Sequence, residues 1–133
     1  MRYCPFMLLL LAATGGGCTT LPTVAADNAQ IDAALVQVGI QVRRCYRFPR
    51  VSSQGRQIIT RVRVRVTSDG QVATLPIVVF QGGITPANQP YADRMAEAAI
   101  EAVMRCAPLR LPESAYANGW VEFELTFSPV AVG

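Results

Sequence analysis

Apolar residues recur at helical spacing in two stretches of the chain. The first stretch, 27–46, places these apolar side chains on one side of a helix: Ile31, Ala34, Leu35, Val38, Val42, Cys45 and Tyr46. The second stretch, 88–106, has Pro90 near its first turn and forms a similar stripe: Tyr91, Ala92, Met95, Ala99, Ala102, Val103 and Cys106. Recurrence at every third or fourth residue is typical of an amphipathic helix. We therefore predict two helices, each with one buried face.

Three other stretches, 57–67, 72–80 and 119–127, have the pattern of strands. In the first, valines alternate with Arg61, Arg63 and Arg65. In the last, large apolar residues alternate with Glu122, Glu124 and Thr126. An alternation of period two gives a strand one buried face and one face in solvent. The Asp-Gly pair at 69–70 predicts a tight hairpin between the first two strands.

The order helix, strand, strand, helix, strand predicts a small α+β domain. Opposite charges directly across a strand pair stabilise it by roughly 0.2–1 kcal/mol per pair. The arginines of the first strand and the glutamates of the third therefore favour a central position for the first strand. We predict a three-stranded antiparallel sheet in the order 2-1-3, with both helices on its apolar face, in a single domain over 27–133.

Composition and charge narrow the possible functions. The chain has 133 residues and a formal net charge of +3; its basic residues are all arginine, and it has no histidine. So small an excess does not indicate a nucleic-acid partner. Histidine is the commonest general base and metal ligand, and carboxylates such as Glu97 and Glu101 fall on an outward helical face. We expect no catalysis, no metal or other cofactor, and no small-molecule substrate.

The first residues have the pattern of an export signal. Arg2 precedes an apolar run, 6–13, that is too short to span a bilayer. The run 15–18 resembles a bacterial lipobox, which would make Cys18 a lipidated N-terminus; the alternative is cleavage after Ala26. We therefore expect residues 1–26 to be a leader and short tether. Both alternatives predict a periplasmic location, the first with attachment to the outer membrane.

Cys45 and Cys106 form the one pair of cysteines outside this leader region. Each lies within the apolar stripe of its predicted helix, so the two sulfur atoms can meet where the helices pack. An even number of cysteines in an exported chain indicates a disulfide. We predict a bridge between Cys45 and Cys106, with two buried free thiols as the alternative.

Four arginines gather where the first predicted helix ends: Arg43, Arg44, Arg47 and Arg50. A solvated helix end whose dipole favours cations explains them. The alternative is contact with anionic lipid headgroups or with an acidic partner.

The stretch 42–129 resembles the C-terminal domain of the TonB/TolA group of envelope proteins, in particular its TolA-like branch. The resemblance rests on four pieces in order. They are CYRFP at 45–49, the β-branched strand with its Asp-Gly turn at 62–72, the alanine-rich helix ending in CAPL at 98–109, and the closing segment 111–129 with its Pro, Tyr, Trp and Phe-rich strand.

The resemblance implies a module that binds periplasmic or outer-membrane proteins, of the Tol-Pal or TonB-dependent-receptor type, by adding a partner strand to a sheet edge. The edge used in the family corresponds to the last strand. The residues expected to bind a partner lie on that strand and on the arginine face: Trp120, Val121, Glu122, Glu124, Thr126, Arg61, Arg63 and Arg65.

TonB and TolA transducers resemble each other in having a membrane anchor and a long periplasmic linker. The sequence has no counterpart of either feature, so we expect a stand-alone form that is not coupled to a motor. The alternative function is that of a small exported ligand-binding or inhibitory domain.

Overall fold

The computed structural model describes residues 24–116, 119–129 and 131–133, with side chains from residue 29 onward. Two helices and three strands follow one another in the order α1-β1-β2-α2-β3. Their bounds are Val24–Cys45 for α1, Ile59–Thr67 for β1, Ile77–Gly82 for β2, Ala92–Cys106 for α2 and Trp120–Phe127 for β3. Within these described ranges, no helix combines the length and the apolar character needed to cross a membrane.

The leader assigned to residues 1–26 falls almost wholly outside the described residues, and so does its lipidation site, Cys18. The other cleavage point, after Ala26, lies within the first turn of α1, because this helix begins at Val24 rather than at Asp27.

The strands form one antiparallel sheet in the order β2-β1-β3, which confirms the predicted α+β fold and its central first strand. Strand β1 pairs with β3 in one unbroken register, from Thr60 opposite Phe127 to Thr67 opposite Trp120. Its pairing with β2 is shorter and shifts register between Arg61 and Val62. The two sides of β1 are therefore unequal, and the long regular ladder is the one with β3.

Both helices cover the same face of the sheet, as the apolar stripes predict. The main core cluster combines buried side chains from both helices and from strands β1 and β3: Val38 and Val42 of α1, Ala99, Ala102 and Val103 of α2, Val62, Val64 and Val66 of β1, and Phe123, Leu125 and Phe127 of β3. Burial alternates along β1, with every valine buried and every arginine exposed. Within the described residues, the other face of the sheet carries no helix.

Cys45 and Cys106 form the predicted disulfide, with their Cα atoms 5.6 Å apart. Each cysteine is the last residue of its helix, so the bridge joins the C-terminal ends of α1 and α2. Both cysteines are partly buried, and Cys106 packs against the main core cluster.

The second strand begins later than predicted. The sequence pattern places it at 72–80, whereas β2 spans Ile77–Gly82 and Val72 makes only an isolated bridge to Val66. The Asp-Gly turn does start a hairpin, because Ala73 N–H donates to the carbonyl of Arg65 at 2.8 Å. The ladder then breaks before Pro76, which is buried and has no N–H to donate.

The hairpin turn is held by side chains and by a distant segment. The Thr67 hydroxyl donates to the carboxylate of Asp69, and the Gln71 N–H donates to the same carboxylate. These two hydrogen bonds, the one from Thr67 with the larger effect, keep the pKa of Asp69 below its usual value. Gly70 has φ of 83°, and a Cβ there would lie 2.5 Å from the carbonyl oxygen of Leu109. Glycine is therefore required both by the turn and by the approach of the chain that leaves α2.

The second helix begins at Ala92, after a 3-10 turn at Gln89–Tyr91, rather than at Asn88 as the stripe suggested. Asn88 is instead a buried residue whose side chain holds the loop before it. Its side-chain amide accepts from the Thr85 N–H at 2.7 Å and donates to the carbonyls of Gly83 and Gln54 at 2.8 and 3.0 Å. This amide therefore anchors the loop between β2 and α2 to the segment before β1.

Candidate functional site

The face of the sheet opposite α1 and α2 carries a row of charges, which we call the ionic face. The Arg65 guanidinium lies 3.0 Å from a carboxylate oxygen of Glu122, and that of Arg63 lies 3.1 Å from one of Glu124. Diagonal contacts of 3.9 Å join Arg61 to Glu124 and Arg63 to Glu122. The two glutamates thus alternate with three arginines, as the predicted pairing of β1 with β3 requires.

These ion pairs make only a small contribution to stability. All five side chains are between 38% and 46% exposed, and exposed pairs are worth less than about 1 kcal/mol each. The ionic face therefore keeps the sheet soluble and helps to set register, while the energy that holds the sheet comes from its buried face.

We expect Arg63→Ala to lower the free energy of unfolding by no more than about 1 kcal/mol, because Arg63 contacts both glutamates only in an exposed setting. Urea denaturation at low and high salt measures this, and the loss should shrink as salt rises. Arg47→Ala is the matched control, since Arg47 is exposed and forms no ion pair within the described residues. A loss above 2 kcal/mol that ignores salt would contradict the assignment.

Aromatic and aliphatic side chains border the ionic face. The Arg65 guanidinium lies 4.3 Å from the centre of the Trp120 ring, and that of Arg61 lies 5.4 Å from the centre of the Phe80 ring. Both rings remain about half exposed. A cavity of about 290 Å³ lies beside Arg63 and Arg65 and is also lined by Thr74, Leu75, Ile77 and Glu122.

The outer edge of β3 is partly occupied by the chain itself. The segment 131–133, which we call the return segment, folds back antiparallel to β3. Thr126 and Gly133 exchange both of their backbone hydrogen bonds, and Ser128 N–H donates to the carbonyl of Ala131 at 2.9 Å. Thr126, one of the residues predicted to bind a partner, therefore already has its outward backbone groups paired.

The rest of this edge is open. In an antiparallel strand, the N–H and C=O of one residue point to the same neighbour, and successive residues alternate between the two sides. Because Thr126 points outward, the backbone groups of Glu124, Glu122 and Trp120 do so as well. Within the described residues, no backbone group bonds to these outward positions. They offer six hydrogen-bonding groups to an added strand.

The structure brings most of the predicted partner-binding residues together. The side chains of Trp120, Glu122 and Glu124 lie on the ionic face beside the three arginines of β1. Val121 does not lie there: it is partly buried against the main core cluster, opposite Val66. Its N–H and C=O point toward β1, so neither its side chain nor its backbone belongs to the open edge.

Sequence reasoning missed the return segment and the residue that admits it. Gly39 is buried in α1, and a Cβ there would lie 2.5 Å from the carbonyl oxygen of Val132. A glycine within a helix costs about 1 kcal/mol relative to alanine, so its presence was the available signal of a close contact. Three residues are too few to show any period, which is why the return segment left no pattern.

A groove lies on the other side of α1, between that helix and the segment that follows α2. Two adjoining cavities of about 540 and 650 Å³ share Gln37 and Arg110 in their walls. The Gln41 side chain joins the two sides: its amide donates to the Pro108 carbonyl and accepts from the Arg110 N–H, both at 3.1 Å. This volume suits a small ligand.

The four arginines at the end of α1 are all exposed, and no ion pair to them is seen within the described residues. They cluster at the end of the helix farther from the predicted leader, and the 22 residues of α1 make this helix about 33 Å long at 1.5 Å per residue. In the same described part of the chain, no three His, Cys, Asp or Glu side chains group as metal ligands would.

Comparison with known proteins leaves the family unassigned. No family model matches the chain, and neither a characterised protein nor a solved structure matches it. The TonB/TolA resemblance therefore stays a prediction based on the four sequence pieces that suggested it.

Proposed function

We propose that this protein is a binding module of the bacterial cell envelope that takes an extended segment of a partner protein as a fourth strand on the edge of β3. The observation that carries the proposal is the row of outward backbone groups at Trp120, Glu122 and Glu124, which pair with no other described residue and lie along the outer edge of the long regular β1–β3 ladder. Strand addition needs such an edge, and backbone hydrogen bonds supply its affinity.

The edge of β3 suits this role better than the edge of β2. Strand β2 has six residues and a register shift in its pairing, whereas β3 has eight residues in one register. Irregular, short edges resist added strands, and long regular edges accept them. Trp120 and the ionic face lie beside the open positions, where side chains of a bound strand would meet them.

The proposed setting is the periplasm, with Tol-Pal or TonB-dependent-receptor proteins as the partner class. The TonB/TolA resemblance and the export pattern suggest this setting, and a disulfide is the usual fate of cysteine pairs in oxidising compartments. Attachment to the outer membrane through Cys18 and a soluble form cut after Ala26 are the two forms that we propose for the mature protein.

We also propose that the role is binding rather than catalysis. The chain has no histidine. The carboxylates beside the open edge, Glu122 and Glu124, each form ion pairs with two arginines. The pattern is that of a recognition surface.

Replacing Glu122 with proline tests strand addition. The Glu122 N–H points away from β1, so Glu122→Pro should keep the β1–β3 ladder while blocking an added strand. Glu122→Gln removes the same charge without blocking the edge and is the matched control. With the immobilised protein in envelope extract, we expect the parent and Glu122→Gln to retain the same Tol-Pal or receptor-type proteins, and Glu122→Pro to lose them by at least tenfold.

Circular dichroism and thermal unfolding test whether Glu122→Pro is folded. A folded Glu122→Pro protein that still retains the same partners at the parental level would rule out addition to β3. Trp120→Pro, whose N–H also points outward at the start of the strand, provides a second block if Glu122→Pro does not fold.

The groove beside α1 favours a second candidate, the binding of a small exported ligand. Its two adjoining cavities have volumes typical of ligand pockets. Ala33 is exposed in its wall, so Ala33→Trp would fill it without touching the sheet. Binding that survives Glu122→Pro and is lost in Ala33→Trp would favour this second candidate.

A further inference from the structure

We infer that the open edge of β3 accepts a partner strand with apolar side chains at alternate positions and non-acidic polar side chains between them. This inference rests on the proposed strand addition and adds the chemical class of the partner. The apolar side chains enter the seam between α1 and β3, which the return segment already uses.

Val132 shows what this seam accepts. It bridges to Phe127 on the helix-covered side of β3 and is partly buried against the main core cluster. Its backbone passes directly over Gly39 of α1, where no side chain stands in the way. One strand residue beside β3 therefore already places an apolar side chain under α1, and an added strand in line with it would do the same at every second residue.

The seam continues past the return segment because α1 runs in the same general direction as β3. Near the end of β3, the Tyr46 ring packs against Phe127 with ring centres 5.2 Å apart. Earlier residues of α1, such as Ala33, line a cavity with Ser114, in the segment that leads to the start of β3. The residues of α1 that precede Gly39 therefore lie toward the open positions at the start of β3.

An apolar ridge of α1 lies along this continuation. Ile31, Leu35 and Gly39 are spaced four residues apart, so they form one ridge of the helix. Leu35 packs against the main core cluster, while Ile31 is 39% exposed. An apolar side chain from an added strand would cover Ile31 as Val132 covers Gly39.

The opposite side chains of the partner meet the ionic face. They would lie directly across from Glu122 and Glu124, where a carboxylate would face a carboxylate. Like charges directly opposite destabilise a strand pair, so threonine or a basic residue suits these positions and an acidic one does not. The return segment ends the site at Thr126, and the partner pairs with Trp120 through Glu124.

Two labelled peptides of one composition test the pattern. The first alternates, Thr-Val-Thr-Val-Thr-Val-Thr, and the second groups its valines, Thr-Thr-Val-Val-Val-Thr-Thr. Fluorescence anisotropy with the full chain should show at least fivefold tighter binding of the alternating peptide, because only that peptide places every valine in the seam. An alternating peptide with glutamate in place of the inner threonines should bind more weakly than its parent.

Two isoleucines of α1 provide the protein-side control. Ile31 and Ile40 are 39% and 45% exposed, but Ile40 lies on the side of the groove with Gln37 and Arg110. Ile31→Ser should weaken binding of the alternating peptide about fivefold or more, and Ile40→Ser should leave the affinity for that peptide unchanged. Amide exchange should slow at Trp120, Glu122 and Glu124 on binding and stay constant at Thr126.

The outcomes separate this inference from the proposed function. Two results would contradict the inference that apolar side chains of the partner enter the seam: equal binding of the alternating and grouped peptides, or equal affinities of Ile31→Ser and the parent. Either result would leave strand addition in place. No binding of any peptide, or full binding by folded Glu122→Pro, would overturn strand addition itself.

Discussion

Removing the disulfide between Cys45 and Cys106 is expected to lower the free energy of unfolding by about 4 kcal/mol. The bridge closes a loop over a sequence separation of 61 residues, and a loop of that length restricts the unfolded chain strongly. It also ties together the ends of the two helices that cover the sheet. In a domain of this size, such a loss corresponds to a fall in melting temperature on the order of 15 °C.

Urea and thermal denaturation of the double variant Cys45→Ala/Cys106→Ala measure this loss. Reduction of the parent protein should reproduce it, and reduction of the double variant should have no further effect. A double variant that unfolds at the same urea concentration as the oxidised parent would contradict the prediction. The double variant that remains folded at low temperature should still bind the alternating peptide, because neither cysteine touches the β3 edge.

Replacing Phe127 with alanine is expected to cost about 3–5 kcal/mol, the range for a large aromatic side chain removed from a core. Phe127 is 2% exposed and packs edge-to-face against the Tyr46 ring. It also bridges to Val132, so its loss should loosen the return segment as well. Faster amide exchange at Gly133 than in the parent would report this second effect.

Trp120→Ala is the matched control for Phe127→Ala, because it removes an aromatic ring from the other end of the same strand. Trp120 is 41% exposed and contacts Arg65 on the ionic face, so its removal should cost less than about 1.5 kcal/mol. Denaturant unfolding of both variants measures the difference. Comparable losses in the two variants would show that the core is not centred where the structure places it.

Strong local patterns were sufficient for much of the fold. The alternation of valine and arginine along β1 and of phenylalanine, leucine and glutamate along β3 predicted which faces are buried. The charges then predicted which strands are neighbours, and Arg65 does lie opposite Glu122. The positions of Cys45 and Cys106 on the two helical stripes predicted the disulfide in the same way.

Features that depend on weaker signals or on contacts between distant residues could not be predicted from these patterns. The start of β2 was placed too early because Val72 fits the alternation, while Pro76 interrupts the ladder that Val72 begins. The helical stripe predicts a helix start at Asn88, whereas its amide bonds to two backbone groups of its own loop and to the distant Gln54 carbonyl. In the candidate site, the alternation does not show that the side chain of Val121, one of the predicted partner-binding residues, packs against the core.

The sequence by itself determined the period of each element and therefore the side on which each residue of β1 and β3 lies. That information is local because side chains alternate between the two faces of a strand. A shift of one residue would therefore place every valine of β1 in solvent. Only the tertiary structure decided how much of the β3 edge is open. The return segment occupies Thr126 because Gly39 leaves room for Val132, and this contact joins residues far apart in the chain that no local period relates. Gly70 is a similar case. The turn alone would explain a glycine at this position, and only the tertiary structure shows that the carbonyl oxygen of Leu109 also lies against it.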